Sequence, residues 1–180
     1  KVGMSIVQAF AQAGFKIHGM DIDQANLDNG LKKIEQNLEK LVSKQKMTAD
    51  DRDAVISRIT VTTDFDSVRN ADVVIEAVFE NMDLKKQVFG DLDRICKDGT
   101  ILASNTSALD LNEIASATKR PESVIGLHFF SPANVMRLLE IVRGERTSKT
   151  LIATSMAIAR RIGKIPVLVG VCRGFVGNRL

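Results

Sequence analysis

The sequence predicts an α/β fold in which a doubly wound, mostly parallel sheet carries a helical hairpin after its second strand. Three observations carry that expectation. Short apolar runs alternate with amphipathic helical stretches along the chain, the order expected of βαβ units. The 180 residues, 44% of them hydrophobic, suffice for one well-packed domain and argue against more than one or two. A glycine at the start of the first helical stretch stands 18 residues before an acid, near the step of a dinucleotide-binding fingerprint.

Taken in order, Ile6, Val7, Ala9, Phe10 and Ala13 fit a helix over 5–13, and Gly14 is placed to end it. "FKIHGMD" alternates and reads as a strand ending in Asp21. Leu27, Leu31, Ile34, Leu38 and Leu41 recur at steps of four and three, the seam of a long amphipathic helix. Thr48, before "ADD", is placed to cap a second helix through Ile56. "RITVTTD" and "ADVVIEAVFE" read as strands, and 83–95 as a helix built on Leu84, Val88, Leu92 and Ile95. "GTILASN" is the next strand and 108–118 the next helix. "SVIGLHFFSP" and "RLLEIVRG" follow as strands joined by so few residues that antiparallel pairing is open to them. A helix over 149–162, stopped by Gly163, leads to the last strand, "IPVLVG".

Composition narrows the function classes. The 25 Lys and Arg against 22 Asp and Glu leave a net charge of only +3, with no basic block and no Trp or Tyr to stack on bases. Nucleic acid is therefore not expected as a partner. A small polyanion such as a nucleotide or coenzyme suits the charge better. Cys96 and Cys172 lie far apart without metal-type spacing. They read as reduced, buried thiols of an intracellular protein, and no metal site is expected. No apolar run approaches the roughly 18 residues of a membrane span, and no signal-peptide pattern opens the chain.

Gly3 sits where the third glycine of G-x-G-x-x-G would fall, and Asp21 where the ribose-binding acid would. The strand and the first two glycines would then lie before Lys1. A carboxylate at that position accepts from both hydroxyls of a ribose diol and repels a 2′-phosphate. Asp23 adds a second negative charge and no Arg follows, which favours NAD over NADP.

His128, one of two histidines, lies inside the apolar run "VIGLHFFSP". Two readings are open: a core histidine with one satisfied hydrogen bond, or a base held at the end of a strand. Glu140, in "LLEIV", is either an ordinary edge-strand acid or the partner of that ring. Ser107 follows a strand and precedes a helix, so a cap or turn role competes with a substrate contact. Asn178 reads equally as a plain helix-start residue. Lys32, Lys33, Lys40 and Lys44 read as a solvated helix face.

Taken together, "ASNTSALDLNEIA", "GLHFFSP", "LLEIV" and "GFVGNRL" make the chain resemble the NAD-binding, Rossmann-type domain of the L-3-hydroxyacyl-CoA dehydrogenases of fatty-acid β-oxidation. The likeness runs over essentially the whole chain. The "HFFSP" and "FVGNRL" wording is most similar to the dehydrogenase part of multifunctional enzymes that also carry enoyl-CoA hydratase activity. The resemblance implies NAD as cofactor and an acyl-CoA as substrate. It implies His128 as catalytic base and Glu140 as its partner carboxylate. Ser107 then hydrogen-bonds the substrate hydroxyl or ketone, and Asn178 lies at the same site. Asp21 holds the adenosine ribose, Glu80 and Lys85 lie near the cofactor, and Asn105 lies on the nicotinamide side. Lys44 falls approximately on a lysine that contacts the CoA part. The resemblance further implies that 1–173 is a nucleotide-binding domain lacking its first strand. Residues 174–180 would begin a C-terminal helical domain that carries much of the contact in a homodimer. The 180 residues alone are then expected to bind NAD poorly.

The chemistry so implied is simple. A secondary alcohol at C3 loses a proton to a base and a hydride to nicotinamide. Imidazole is the side chain whose ordinary pKa lies nearest neutrality. A carboxylate behind the ring fixes its tautomer and stabilises the imidazolium that forms. Dehydrogenases of small free hydroxyacids on the same nucleotide fold typically use a lysine base, and "HFFSP" with an acid twelve residues on speaks against them. A non-catalytic coenzyme-binding or assembly module is the rival from another class. The four intact polar positions speak against loss of function.

Overall fold

The structure, a computed structural model, describes residues 2–179. Lys1 and Leu180, the outer ends of the two expected domains, lie outside the described residues. The chain divides into two compact units, one of 1–67 with 131–135 and one of 68–130 with 136–180.

The first unit runs α1 (Val2–Gln12), β1 (Ile17–Met20), α2 (Gln24–Ser43), α3 (Ala49–Ser57) and β2 (Ile59–Thr62). Strands β1 and β2 pair in parallel, Ile17 beside Ile59 and Met20 beside Thr62. Gly14 ends α1 in the left-handed region, φ +98, which only glycine adopts without strain. Helix α2 begins at Asp23, whose side chain accepts the Ala25 N–H at 2.9 Å. Thr48 caps α3 as expected, its hydroxyl accepting from the Asp51 N–H at 3.1 Å. Val7, Ala11, Ile34, Leu38 and Val55 form the core of the unit, so the seam read from the leucine spacing is the buried face of α2.

The second unit holds β3 (Val73–Glu76), α4 (Met82–Ile95), β4 (Ile101–Ser104), α5 (Leu111–Ala115), β5 (Val124–Phe129), β6 (Leu138–Arg143), α6 (Lys149–Arg161) and β7 (Ile165–Gly170). The five strands form one sheet in the order β3-β4-β5-β6-β7. Every pairing is parallel except β5 with β6, where the short connection imposes the antiparallel arrangement the sequence left open. All six residues of β5 are buried, as a central strand covered on both faces requires.

Most strands are trimmed at their ends relative to the sequence patterns, and two elements show why. The strand from "ADVVIEAVFE" stops at Glu76, because Glu76 bends back to accept the N–H of Val78 at 2.8 Å. The helix expected over 108–118 is only Leu111–Ala115. Its N-terminal part is taken up by a loop in which the Thr106 hydroxyl accepts the Leu109 N–H at 3.0 Å, and Asp110 becomes the cap.

Candidate active site

The C-terminal ends of β3, β4 and β5 share one edge of the five-stranded sheet, since Glu76 pairs with Ser104 and Ser104 with Gly126. The antiparallel strand β6 delivers its N-terminal half to that same edge, with Glu140 directly opposite His128. Residues directly opposite on an antiparallel pair point to the same face. The imidazole Nδ1 lies 3.0 Å from Glu140 Oε1. Both residues are buried, His128 at 6% and Glu140 at 1% exposure. A carboxylate can only accept, so the pair favours a proton on Nδ1 and leaves Nε2 with its lone pair. The second carboxylate oxygen, Oε2, accepts the backbone N–H of Val176 at 2.8 Å and of Gly177 at 3.3 Å. Phe130 and Phe175 lie against the imidazole, with ring centroids 4.6 and 5.8 Å away.

A second polar cluster occupies the loops after β3 and β4. Glu80 Oε2 accepts both the N–H and the hydroxyl of Ser107, each at 2.8 Å, and Oε1 accepts the Thr106 hydroxyl at 2.7 Å. Burial works against the Glu80 charge. The Ser107 amide, the two hydroxyls and the Lys85 cation outweigh it and hold the carboxyl below the usual glutamate range. Lys85 Nζ lies 3.7 Å from Glu80 and donates to Glu76 Oε2 at 2.6 Å and to the Val78 carbonyl at 3.2 Å. Glu76 also accepts the Ser104 hydroxyl at 2.7 Å. Asn105 joins the ends of β4 and β5: its Oδ1 accepts the Phe129 N–H at 2.8 Å, one residue beyond His128.

The second unit thus brings together His128 with Glu140, and Ser107 with Glu80, Lys85 and Asn105, on one sheet edge. Asn178 lies in a short 3-10 turn, Gly177–Arg179, directly after the amides that hold Glu140, and its side chain is exposed. Gly3, Asp21 and Lys44 belong to the first unit. Gly3 falls in the first turn of α1. Asp21 follows the last residue of β1, and its Oδ1 accepts the Asp23 N–H at 2.9 Å. A carboxylate at a strand end has the acceptor chemistry that fits a ribose diol. Lys44 caps the C-terminus of α2 in the turn of the hairpin, exposed to solvent.

Glu76 was not among the residues singled out from sequence. Its signal was present, a lone acid inside the apolar run "VVIEAV", the same mark that drew attention to His128. Phe175 and the amides after it carry no such mark.

A mostly parallel sheet flanked by helices, with polar side chains gathered at the C-terminal ends of its strands, is the arrangement of a nucleotide-binding α/β domain. The sequence matches the family described as "3-hydroxyacyl-CoA dehydrogenase, NAD binding domain" over residues 1–172, and the chain belongs to that family. NAD is the cofactor that the family's domain binds, in agreement with the preference read from Asp21. The chain is 42% identical to the 3-hydroxybutyryl-CoA dehydrogenase of Clostridioides difficile over 179 residues, covering 99% of this chain and 64% of that protein. It is 46% identical to the peroxisomal bifunctional enzyme of Homo sapiens over 179 residues, covering 99% of this chain and 24% of that enzyme. The crystal structure of (S)-3-hydroxybutyryl-CoA dehydrogenase from Ralstonia eutropha superposes with a TM-score of 0.96 at 38% identity, over 99% of this chain and 63% of that one. The chain therefore spans less than two thirds of the length of these relatives. Among the described residues no helix is long and apolar enough to cross a membrane.

Proposed function

We propose that the protein oxidises (S)-3-hydroxyacyl-CoA to 3-oxoacyl-CoA with NAD, as a step of fatty-acid β-oxidation. The observation that carries this reading is the buried pair of His128 and Glu140 at 3.0 Å. His128 Nε2 accepts the C3 hydroxyl proton, and Glu140 stabilises the imidazolium that results. NAD, when bound, would supply the acceptor for the C3 hydride.

Ser107, whose hydroxyl donates to Glu80 at 2.8 Å, turns that hydrogen to the C3 oxygen when substrate binds and so hydrogen-bonds the hydroxyl or ketone. Asn178 contacts the same oxygen. Asp21 accepts from the adenosine ribose, Gly3 belongs to the cofactor-binding stretch, Glu80 and Lys85 lie near the cofactor, and Asn105 lies on its nicotinamide side. Lys44 contacts the CoA part of the substrate. Residues 174–180 begin a C-terminal helical domain, and the intact enzyme is an intracellular homodimer. The name of the bacterial relative and the description of the matching family support a coenzyme A thioester as substrate.

The test is a substrate comparison on the full-length protein. NADH should form from 3-hydroxybutyryl-CoA and not from free 3-hydroxybutyrate, and NADP should not replace NAD. Equal rates with the free acid would contradict the thioester assignment.

A further inference from the structure

The Gly174–Gly177 turn has no part in the reaction as described above, yet it touches both members of the pair. Its amides hold Glu140 by Oε2, the oxygen that His128 does not use. Consecutive backbone N–H groups converging on one carboxylate oxygen form an anion-binding nest. The turn takes this shape because Gly174 and Phe175 both lie in the left-handed region, at φ +77 and +50. A phenylalanine adopts that conformation only against steric resistance, and such residues persist where the surroundings require them. The requirement here is visible: the Phe175 ring is fully buried and packs on the imidazole, opposite in sequence to Phe130.

We propose that this turn is a positioning element of the proton transfer. The nest fixes the rotation of the Glu140 carboxylate so that Oε1 faces Nδ1, and Phe175 fixes the plane of the imidazole. Neither group touches substrate or cofactor in this role; both act through His128. The proposal rests on His128 being the base, as proposed above.

The test uses the full-length protein with NAD and 3-hydroxybutyryl-CoA. Phe175→Leu keeps an apolar side chain but removes the ring. It should lower kcat by about 100-fold, the scale of a small misplacement of a catalytic group. KM and NAD affinity by calorimetry should stay unchanged, a split that general loss of structure would not give. Independently, Glu140→Gln replaces a charged acceptor by a weaker neutral one. The amide proton resonances of Val176 and Gly177 should then move upfield together. Wild-type kcat in Phe175→Leu, or amide resonances that ignore Glu140→Gln, would overturn the proposal. If Phe175→Leu does not fold, the amide shifts still decide. Turnover retained by His128→Gln would instead overturn the assignment of the base, and the amide shifts would still report on the nest.

Discussion

Lys85 and Glu76 meet at 2.6 Å with side chains only 2% and 1% exposed. A buried pair of this kind contributes little net stability, but removing one partner strands the other charge. Lys85→Met should therefore destabilise the fold by about 3–5 kcal/mol in urea denaturation. The double variant Glu76→Leu/Lys85→Met should recover only part of the loss, because the Ser104 hydroxyl and the Val78 amide also lose their acceptor. A Lys85→Met variant as stable as the wild type would contradict the pairing. Glu80 makes a pH-dependent claim. Its folded pKa is depressed below the ordinary 4.5, so its stabilisation is complete above that value and is lost as pH falls through the depressed one. The stability gap between wild type and Glu80→Gln should be constant near neutrality and close below about pH 4. Thermal unfolding across pH 7 to 3 measures it, and a gap that persists in acid would refute the sign. Cys96 is buried, and desolvation with Asp93 nearby raises its pKa despite Arg120. It should resist alkylation in the native protein while Cys172 reacts, as mass spectrometry after iodoacetamide treatment would reveal.

At the scale of elements, the pairing of β5 with β6 sets the site, and Gly126 sets the pairing. A Cβ built on Gly126 would stand 2.7 Å from the Val142 Cβ, two residues along the strand from His128. Gly126→Ala must push β6 away or displace Val142. The expected cost is about 1–3 kcal/mol, the range for overpacking a filled core. The variant should also lose activity, because the shift propagates to Glu140. Equal stability and activity in Gly126→Ala would show that the strands have slack. Elements with a strong internal pattern were legible in the sequence. The α2 seam, the Thr48 cap and the stops at Gly14 and Gly163 all lie where side-chain period and turn chemistry put them. The start of the helix expected over 108–118 is not legible, because Thr106 takes the Leu109 N–H and is itself held, with Ser107, by a long-range partner. Glu80, 27 residues upstream, ties down Ser107, and no local propensity encodes that.

For the whole molecule, the described residues form two compact units, and the polar residues singled out from sequence divide between them. The pairing of His128 with Glu140 was readable because each is a lone polar side chain in an apolar run, at a separation that a short turn can close. Burial without a partner is costly, so two such residues on neighbouring strands are expected to meet. The nest around Glu140 was not readable. It consists of backbone N–H groups, which every residue carries, and of a positive φ at Phe175 that side-chain identity does not announce. The family assignment links these local facts to a reaction but does not by itself say which atom takes the proton. The turnover number of His128→Gln with NAD and 3-hydroxybutyryl-CoA tests that point most directly. A loss of about 100- to 10,000-fold, the contribution of a general base, is expected, with NAD still bound. Turnover within a few-fold of wild type would contradict it.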